Sequence, residues 1–257
     1  MPLMKTSNPV LSNKSFDNLS GSLYGGAIDA TQRMTLSGTV NKTGVLLLCV
    51  ATTAYWTWSR FLASRDLADV APYLLVGLLG GFIMAMVTTF KREWAPVTAP
   101  MYALLEGLAL GGISAVFDLR YPGIAIQAVG LTFGTLLALL LVYSTGMVRV
   151  TDKFRIGVFA ATGGIALFYL AQMLLGFFGV HFLSSVHGSG TVGIVFSLFV
   201  VGIAALNLIL DFDFIERGAN QGAPKYMEWY GAFGIMVTLV WLYLEILRLL
   251  AKTRSRN

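Results

Sequence analysis

Seven apolar runs of 19 to 25 residues make up most of this chain, and short polar segments separate them. An α-helix rises about 1.5 Å per residue, so roughly 20 apolar residues cross a hydrocarbon core about 30 Å thick. The pattern therefore predicts an all-α, polytopic membrane bundle of seven helices. The predicted spans are 43–63, 72–90, 97–117, 123–147, 156–178, 190–211 and 229–250.

The polar segments define the predicted organisation of the chain. Residues 1–42 are rich in Ser, Asn, Gly and Thr, and we expect a mostly disordered tail whose last residues lead into the first span. The transmembrane domain then covers 43–252, and 253–257 form a basic C-terminal tail. Because the connecting loops are short, consecutive helices must run antiparallel.

The composition supports a membrane protein and argues against other classes. The chain is 56% hydrophobic and 12% charged, whereas soluble domains are about 25% charged. The net charge of +5 could suggest nucleic acid, but the basic residues flank apolar runs, as they do in membrane proteins. We therefore expect the lipid bilayer, and no nucleic acid, as a partner.

Motifs for an enzyme, a metal or a cofactor are not found. The sequence has no GxSxG, HExxH, P-loop or CxxC motif, so we expect no catalytic residues, no metal site and no cofactor. His181 and His187 are six residues apart, which matches no helical metal spacing, and we interpret them as part of a solvated loop. The single cysteine, Cys49, lies inside an apolar run and excludes an intramolecular disulfide.

The orientation follows from the Lys and Arg residues of the short loops. They predict a cytoplasmic N-terminus, because the opposite loops carry only Arg65 and Arg120. Seven spans place the basic residues of 248–256 on the opposite side, against the same rule. The basic residues on the side of the N-terminus are Lys91, Arg92, Arg149, Lys153, Arg155, Arg217 and Lys225.

Small residues four apart occur in three spans and indicate close helix contacts in lipid. These pairs are Gly77 and Gly81, Gly107 and Gly111, and Gly130 and Gly134.

Three ionisable residues inside the spans, Glu106, Asp211 and Glu245, are the main candidates for function. Such a residue costs about 3 kcal/mol on insertion scales, so each one requires an explanation. Glu106 and Thr238 lie at similar depths, about 14 Å from the predicted cytoplasmic end, and Asp211 enters from that side. We expect Asp211, Glu106 and Thr238 to share one polar pocket. Asn207, one turn before Asp211, would face the same way.

A buried acidic pocket can bind cations and change its charge. Burial raises the pKa of a carboxyl group, and a neighbouring carboxylate raises it further, so the pocket could respond to protons near neutral pH. Calcium also prefers carboxylate and carbonyl oxygens. Two alternatives stay open. Asp211 could mark a helix end beside solvated Asp213 and Glu216, and Glu245 could pair with Arg248 or reach the interface.

Four segments resemble the bacterial branch of the Bax inhibitor family, also called the transmembrane Bax inhibitor motif family. They are SNPVLSNKSF, PVTAPMYALLEGLALGGIS, LILDFDFIERG and KYMEWYGAFGIMVTLVWLYLEILRLL, and the resemblance covers about residues 8–252. It implies seven helices with the last one wrapped by the others. It also implies a pair of aspartates on the last two helices that acts as a pH-sensitive latch over a calcium-permeable pore.

The resemblance assigns Asp211 to the first aspartate of this latch and places Thr238 at the position of the second. The chain therefore departs from the two-carboxylate pattern, and Glu106 or Glu245 could take the place of the second carboxylate. Asp213 is a further candidate for the ion pathway. Two functions are expected from these features. The first is a calcium leak channel or ion-homeostasis protein of the cell membrane. The alternative is a regulatory membrane protein that binds a membrane protease or a stress-response partner.

Overall fold

The computed structural model describes residues 32–178 and 188–256. Within these residues seven helices are long and apolar enough to cross a membrane, and the predicted all-α bundle is confirmed. Short 3₁₀ turns precede the second and third helices. The helices are α1 (Leu36–Ser64), α2 (Ala71–Phe90), α3 (Ala95–Arg120), α4 (Ile124–Ser144), α5 (Asp152–Phe177), α6 (Thr191–Asn220) and α7 (Met227–Arg254).

Two helices extend well beyond their predicted spans. α1 begins at Leu36 instead of residue 43, because Thr35 caps it by accepting a hydrogen bond from the Gly38 N–H at 3.0 Å. α6 continues to Asn220 instead of ending at 211, so residues 212–220, which the predicted span leaves out, are helical. Hydropathy locates the part of a helix inside lipid, and both extensions are polar. The predicted tail falls mainly on residues 1–31, which lie outside the described residues.

The last helix is the most buried of the seven. About 67% of the most apolar stretch of α7 is buried in the bundle, compared with 11% of that of α5. α7 contacts α1, α3, α4 and α6, whereas α5 packs chiefly against α6. The expected central position of the last helix is therefore observed, and most of α5 faces lipid.

Close contacts join α1, α2 and α3 at four of the six paired glycines. A Cβ atom at Gly77 would lie 2.5 Å from the Ala109 nitrogen of α3. Gly107 and Gly111 of α3 lie against the backbone of α1, where a side chain would overlap Val50 and Ala54. In contrast, a Cβ at Gly130 or Gly134 would meet nothing within 4 Å. The small-residue pattern thus marks helix contacts in α2 and α3 but not in α4.

Candidate functional site

Asp211 and Thr238 form a buried pair between α6 and α7. The Thr238 hydroxyl donates a hydrogen bond of 2.6 Å to Asp211 Oδ2. Asp211 is 0% exposed and Thr238 is 4% exposed. Asp211 lies nine residues before the end of α6, so the alternative in which it marks a helix end is wrong. The threonine found at the expected place of a second aspartate does face the first one.

Asn207 lies one turn before Asp211 and connects α6 to α5. Its side-chain nitrogen donates to Thr162 Oγ1 at 2.8 Å and to the Ile203 carbonyl oxygen at 2.8 Å. Asn207 is 2% exposed. Burying an amide in a membrane is favourable only when it is hydrogen bonded, and this one bonds across the helix interface.

Asp213 holds a network of ion pairs near the end of α6 where α5 begins. Its Oδ2 atom accepts from Arg155 of α5 at 2.8 Å and from Arg217 at 2.6 Å. The neighbouring Glu216 accepts a hydrogen bond from the Tyr143 hydroxyl of α4. The alternative that Asp213 is simply solvated is therefore wrong, because two guanidinium groups bind it.

Glu245 connects α5 and α7 nearer the other end of the bundle. It is 1% exposed and accepts from Arg248 at 2.8 Å, as the pairing alternative expected. The Tyr169 hydroxyl of α5 donates to Glu245 at 3.1 Å, and the Trp241 indole nitrogen lies 3.3 Å from the same oxygen. Glu245 is thus a member of a hydrogen-bonded group and not an isolated charge.

Three polar contacts from α5 to α6 and α7 lie on one stripe of that helix, which we name the α5 polar stripe. It consists of Arg155, Thr162 and Tyr169, which are seven residues apart and therefore share a face. Between them, Val158 and Ile165 are also buried, at 4% and 5% exposure. At about 1.5 Å per residue, the stripe extends over roughly 21 Å of a hydrocarbon core about 30 Å thick.

Glu106 of α3 points toward α2. A Cβ at Gly81 of α2 would lie 3.0 Å from Glu106 Oε2, so this carboxylate points toward α2. Tyr102, one turn earlier, hydrogen bonds to Glu106 and packs edge-on against Phe233 of α7 with ring centroids 5.0 Å apart. The structure brings Asp211 and Thr238 together as expected, whereas Glu106 lies toward α2.

The sequence analysis missed Glu228, a fully buried carboxylate in the first turn of α7. It accepts hydrogen bonds from the Thr35 N–H at 2.9 Å and the Thr35 hydroxyl at 2.8 Å, and it pairs with Lys42 and Lys225. A Cβ at Gly38 would overlap this carboxylate. We name Thr35, Lys42, Lys225 and Glu228 the Glu228 clamp. The available signal was Thr35, a residue type common at the N-cap of a helix, but nothing in the sequence linked it to Glu228.

The Glu228 clamp fixes the chain before α1 to the loop before α7. The Met34 N–H donates to the Ala223 carbonyl at 2.7 Å, and the Lys225 N–H donates to the Gln32 carbonyl at 2.8 Å. Arg33 and Pro224 form an isolated antiparallel bridge between them. The residues that join α6 to α7 are therefore held by the N-terminal segment.

Among the described residues, no group of three or more His, Cys, Asp or Glu side chains is arranged to hold a metal ion. His181 and His187 lie outside the described residues. Asp211 instead accepts a hydrogen bond from a hydroxyl, and Asp213 and Glu245 pair with arginines.

Comparisons with known proteins identify a family and nothing narrower. A family model described as Bax inhibitor 1 like matches residues 8–255, which is nearly the whole chain. No curated protein matches the sequence. No solved structure matches it either.

Proposed function

We propose that this protein, which belongs to the Bax inhibitor 1 like family, is a cation leak channel or ion-homeostasis protein of the cell membrane. The observation that carries the proposal is the α5 polar stripe together with the acidic and amide groups that face it. Ionisable side chains inside a membrane are rare, and they often mark ion or proton pathways. We place the pathway between α5 on one side and α6 and α7 on the other.

Carboxylates and neutral oxygens occur at successive depths along this interface. Asp213 lies at one end, Asn207 pairs with Thr162 in the middle, and Glu245 meets Tyr169 toward the other end. Asp211 lies one turn from Asn207 on the same helix. Hard cations such as Ca²⁺ prefer oxygen ligands of these kinds. This distribution supports stepwise passage of a cation along α5.

The described conformation corresponds to a closed state in this proposal. Asp211 is 0% exposed and accepts the Thr238 hydrogen bond, so a hydrated ion does not reach it. Arg155 bridges Asp213 at the α5 end of the same interface. Opening requires α5 to move away from α6, which the weak packing of α5 on the rest of the bundle favours. Such helix displacements are a common form of gating.

The predicted orientation places the Glu228 clamp at the cytoplasmic face. Lys91, Arg92, Arg149 and Lys153 near this end support a cytoplasmic N-terminus by the positive-inside rule. Two further basic residues at this end, Arg217 and Lys225, are engaged in ion pairs with Asp213 and Glu228.

The proposal is tested by calcium uptake into proteoliposomes that contain the full chain. We expect Asp211→Asn to lower uptake at least about tenfold, since a lost charge contact of about 1.4 kcal/mol gives that factor. Asp69→Asn is the matched control, because Asp69 is an exposed aspartate in the turn before α2. Uptake that is equal in wild type and Asp211→Asn would remove Asp211 from the pathway.

Glu106→Gln, measured in the same assay, decides whether Glu106 belongs to the pathway. Because its carboxylate points toward Gly81 of α2, we expect uptake to change less than twofold. A loss as large as that of Asp211→Asn would instead place the pathway between α2 and α3.

Measuring uptake across pH tests the role of Thr238. Two carboxylates in contact titrate as a coupled pair, and a threonine removes that coupling. We therefore expect Thr238→Asp to make uptake steeper in pH between about 5 and 8 than in the wild type. A pH profile that Thr238→Asp leaves unchanged would contradict the latch position assigned to this residue.

A second candidate function is binding of a membrane protease or stress-response partner. The observation that favours it is the attachment of residues 32–35 to the loop before α7, because this attachment fixes residue 32 at that end of the bundle. Deleting residues 1–31 keeps the Glu228 clamp intact. A channel retains its calcium uptake after this deletion, whereas a docking protein loses its partner in a pull-down.

A further inference from the structure

A cavity of about 840 Å³ with a mixed polar and apolar lining lies at the end of the bundle opposite the Glu228 clamp. It opens between the ends of α3, α5 and α7 and the first turns of α6. Its volume is within the range of 300–1,000 Å³ that is common for small-molecule sites. The polar residues that line it include Arg120, Tyr121, Ser197, Arg248, Lys252 and Ser255.

The charge of this cavity is one-sided. Three of its described lining residues, Arg120, Arg248 and Lys252, are cations. None of the described lining residues is an acid. Glu245 lies behind the wall, where it is 1% exposed and bound to Arg248. One carboxylate therefore faces three cations, and the surplus of positive charge favours an anion in the cavity.

Two of the cations are held at the cavity wall. The Lys252 ammonium donates to the Ser197 hydroxyl at 2.8 Å and to the Gly193 carbonyl at 3.2 Å. The Arg248 guanidinium binds Glu245 and lies 5.6 Å from the centre of the Tyr169 ring. Positions fixed in advance reduce the entropy that a ligand loses on binding. Arg120, in contrast, is exposed at the last residue of α3.

We propose that this cavity binds a phosphate group. Guanidinium groups bind phosphate through paired N–H donors, and a lysine adds a point charge. The hydroxyls of Tyr121 and Ser255 are further donors on the wall. The cavity lies where the apolar spans end, which is the depth of lipid headgroups, and it is much larger than a single ion. An anionic phospholipid headgroup and free inorganic phosphate supply the same chemistry, and the experiment separates them.

The cavity also bears on the proposed pathway, although phosphate binding does not rest on it. Tyr169, the last residue of the α5 polar stripe, lines the cavity wall. Three cations at that place repel an approaching cation, and a bound phosphate neutralises part of their charge. A phosphate-bearing lipid would then assist cation entry at this end.

The test measures binding to the full chain in nanodiscs of neutral phosphatidylcholine. Titration with phosphatidylglycerol, followed by native mass spectrometry, gives the affinity of the lipid. We expect Lys252→Gln and Arg120→Gln each to weaken binding about tenfold, as the loss of one charge-assisted hydrogen bond does. Lys252→Arg keeps the cation and should retain most of the affinity.

Arg60→Gln is the matched control, since Arg60 is an exposed arginine near the α1 end on the same side of the bundle. It changes the net charge by the same amount, and we expect less than a twofold effect. An equal loss in Arg60→Gln, or equal affinity for phosphatidylcholine and phosphatidylglycerol, would overturn the proposal. Thermal melting of every variant in the neutral nanodisc verifies that it is folded.

Inorganic phosphate in the same assay identifies the source. If millimolar phosphate leaves phosphatidylglycerol bound, the site takes a lipid headgroup. If phosphate displaces the lipid, and Lys252→Gln also weakens the binding of phosphate, the site takes free phosphate. Phosphatidylglycerol binding that neither Lys252→Gln nor Arg120→Gln alters would overturn both versions, whatever the calcium uptake of the protein.

Discussion

Helices α5 and α7 are similar in length and in apolar character but have very different surroundings. They contain 26 and 28 residues. Of the most apolar stretch of each helix, 11% is buried in the bundle for α5 and 67% for α7. In water an apolar helix must be buried by protein, whereas in a bilayer lipid covers it equally well. Apolar content therefore indicates that a helix spans the membrane and does not indicate its place in the bundle.

The polar residues distinguish the two helices better than the apolar ones. α7 buries Glu228, Thr238 and Glu245, at 0%, 4% and 1% exposure, because neighbouring segments supply partners along its length. Three polar contacts from α5 to α6 and α7 lie along one stripe, and most of the remaining surface of α5 meets lipid. A helix attached along one stripe can move more easily than a helix that is surrounded.

Truncating a methionine on each helix should give the largest difference. Met236 of α7 is 0% exposed and Met173 of α5 is 57% exposed. Met236→Ala removes packed atoms and leaves a cavity, so we expect it to lower the free energy of unfolding by about 2–5 kcal/mol. Met173→Ala removes lipid contacts and should change it by less than about 0.5 kcal/mol. Unfolding in mixed detergent micelles measures both, and equal losses would contradict the peripheral position of α5.

Breaking the Glu228 clamp should have the next largest effect. Glu228→Gln removes the charge that pairs with Lys42 and Lys225. Deleting one partner of a buried pair costs about 3–5 kcal/mol, but both lysines are partly exposed and can reach water, so we expect about 2 kcal/mol. Glu93→Gln is the control, because Glu93 is exposed in the turn before α3, and it should change stability by less than about 0.5 kcal/mol. The same unfolding assay would contradict the clamp if the two variants were equally stable.

Removing one hydroxyl from the α5 polar stripe should have the smallest effect. Tyr169→Phe deletes the hydrogen bond to Glu245, and side-chain hydrogen bonds between membrane helices average about 0.6 kcal/mol. Tyr55→Phe on α1 is the control, since Tyr55 is 68% exposed. Amide hydrogen exchange of α5, but not of α7, should also be faster in Tyr169→Phe than in the wild type. Unchanged exchange in α5 would show that its attachment does not depend on this contact.

Much of the fold could be predicted from the sequence, because seven apolar runs of sufficient length leave few alternatives. The ends of α1 and α6 could not, since polar residues extend both helices beyond the lipid-facing part. The facing of Asp211 and Thr238 followed from the family resemblance. Glu106 and Glu228 show which features of the site could not be predicted. Depth along a helix does not give its rotation, and the Glu228 clamp joins residues 193 positions apart.

The most direct test of a pathway along α5 is the effect of a cationic thiol reagent on calcium uptake through single-cysteine variants. Cys49, the one native cysteine, is replaced by serine in all of them. Thr162→Cys places the thiol on the α5 polar stripe, and Leu167→Cys places it on a face that is 68% exposed to lipid. We predict that the reagent blocks uptake in Thr162→Cys and leaves it unchanged in Leu167→Cys. Uptake that persists in Thr162→Cys, with the modification verified by mass spectrometry, would contradict a pathway between α5 and α6.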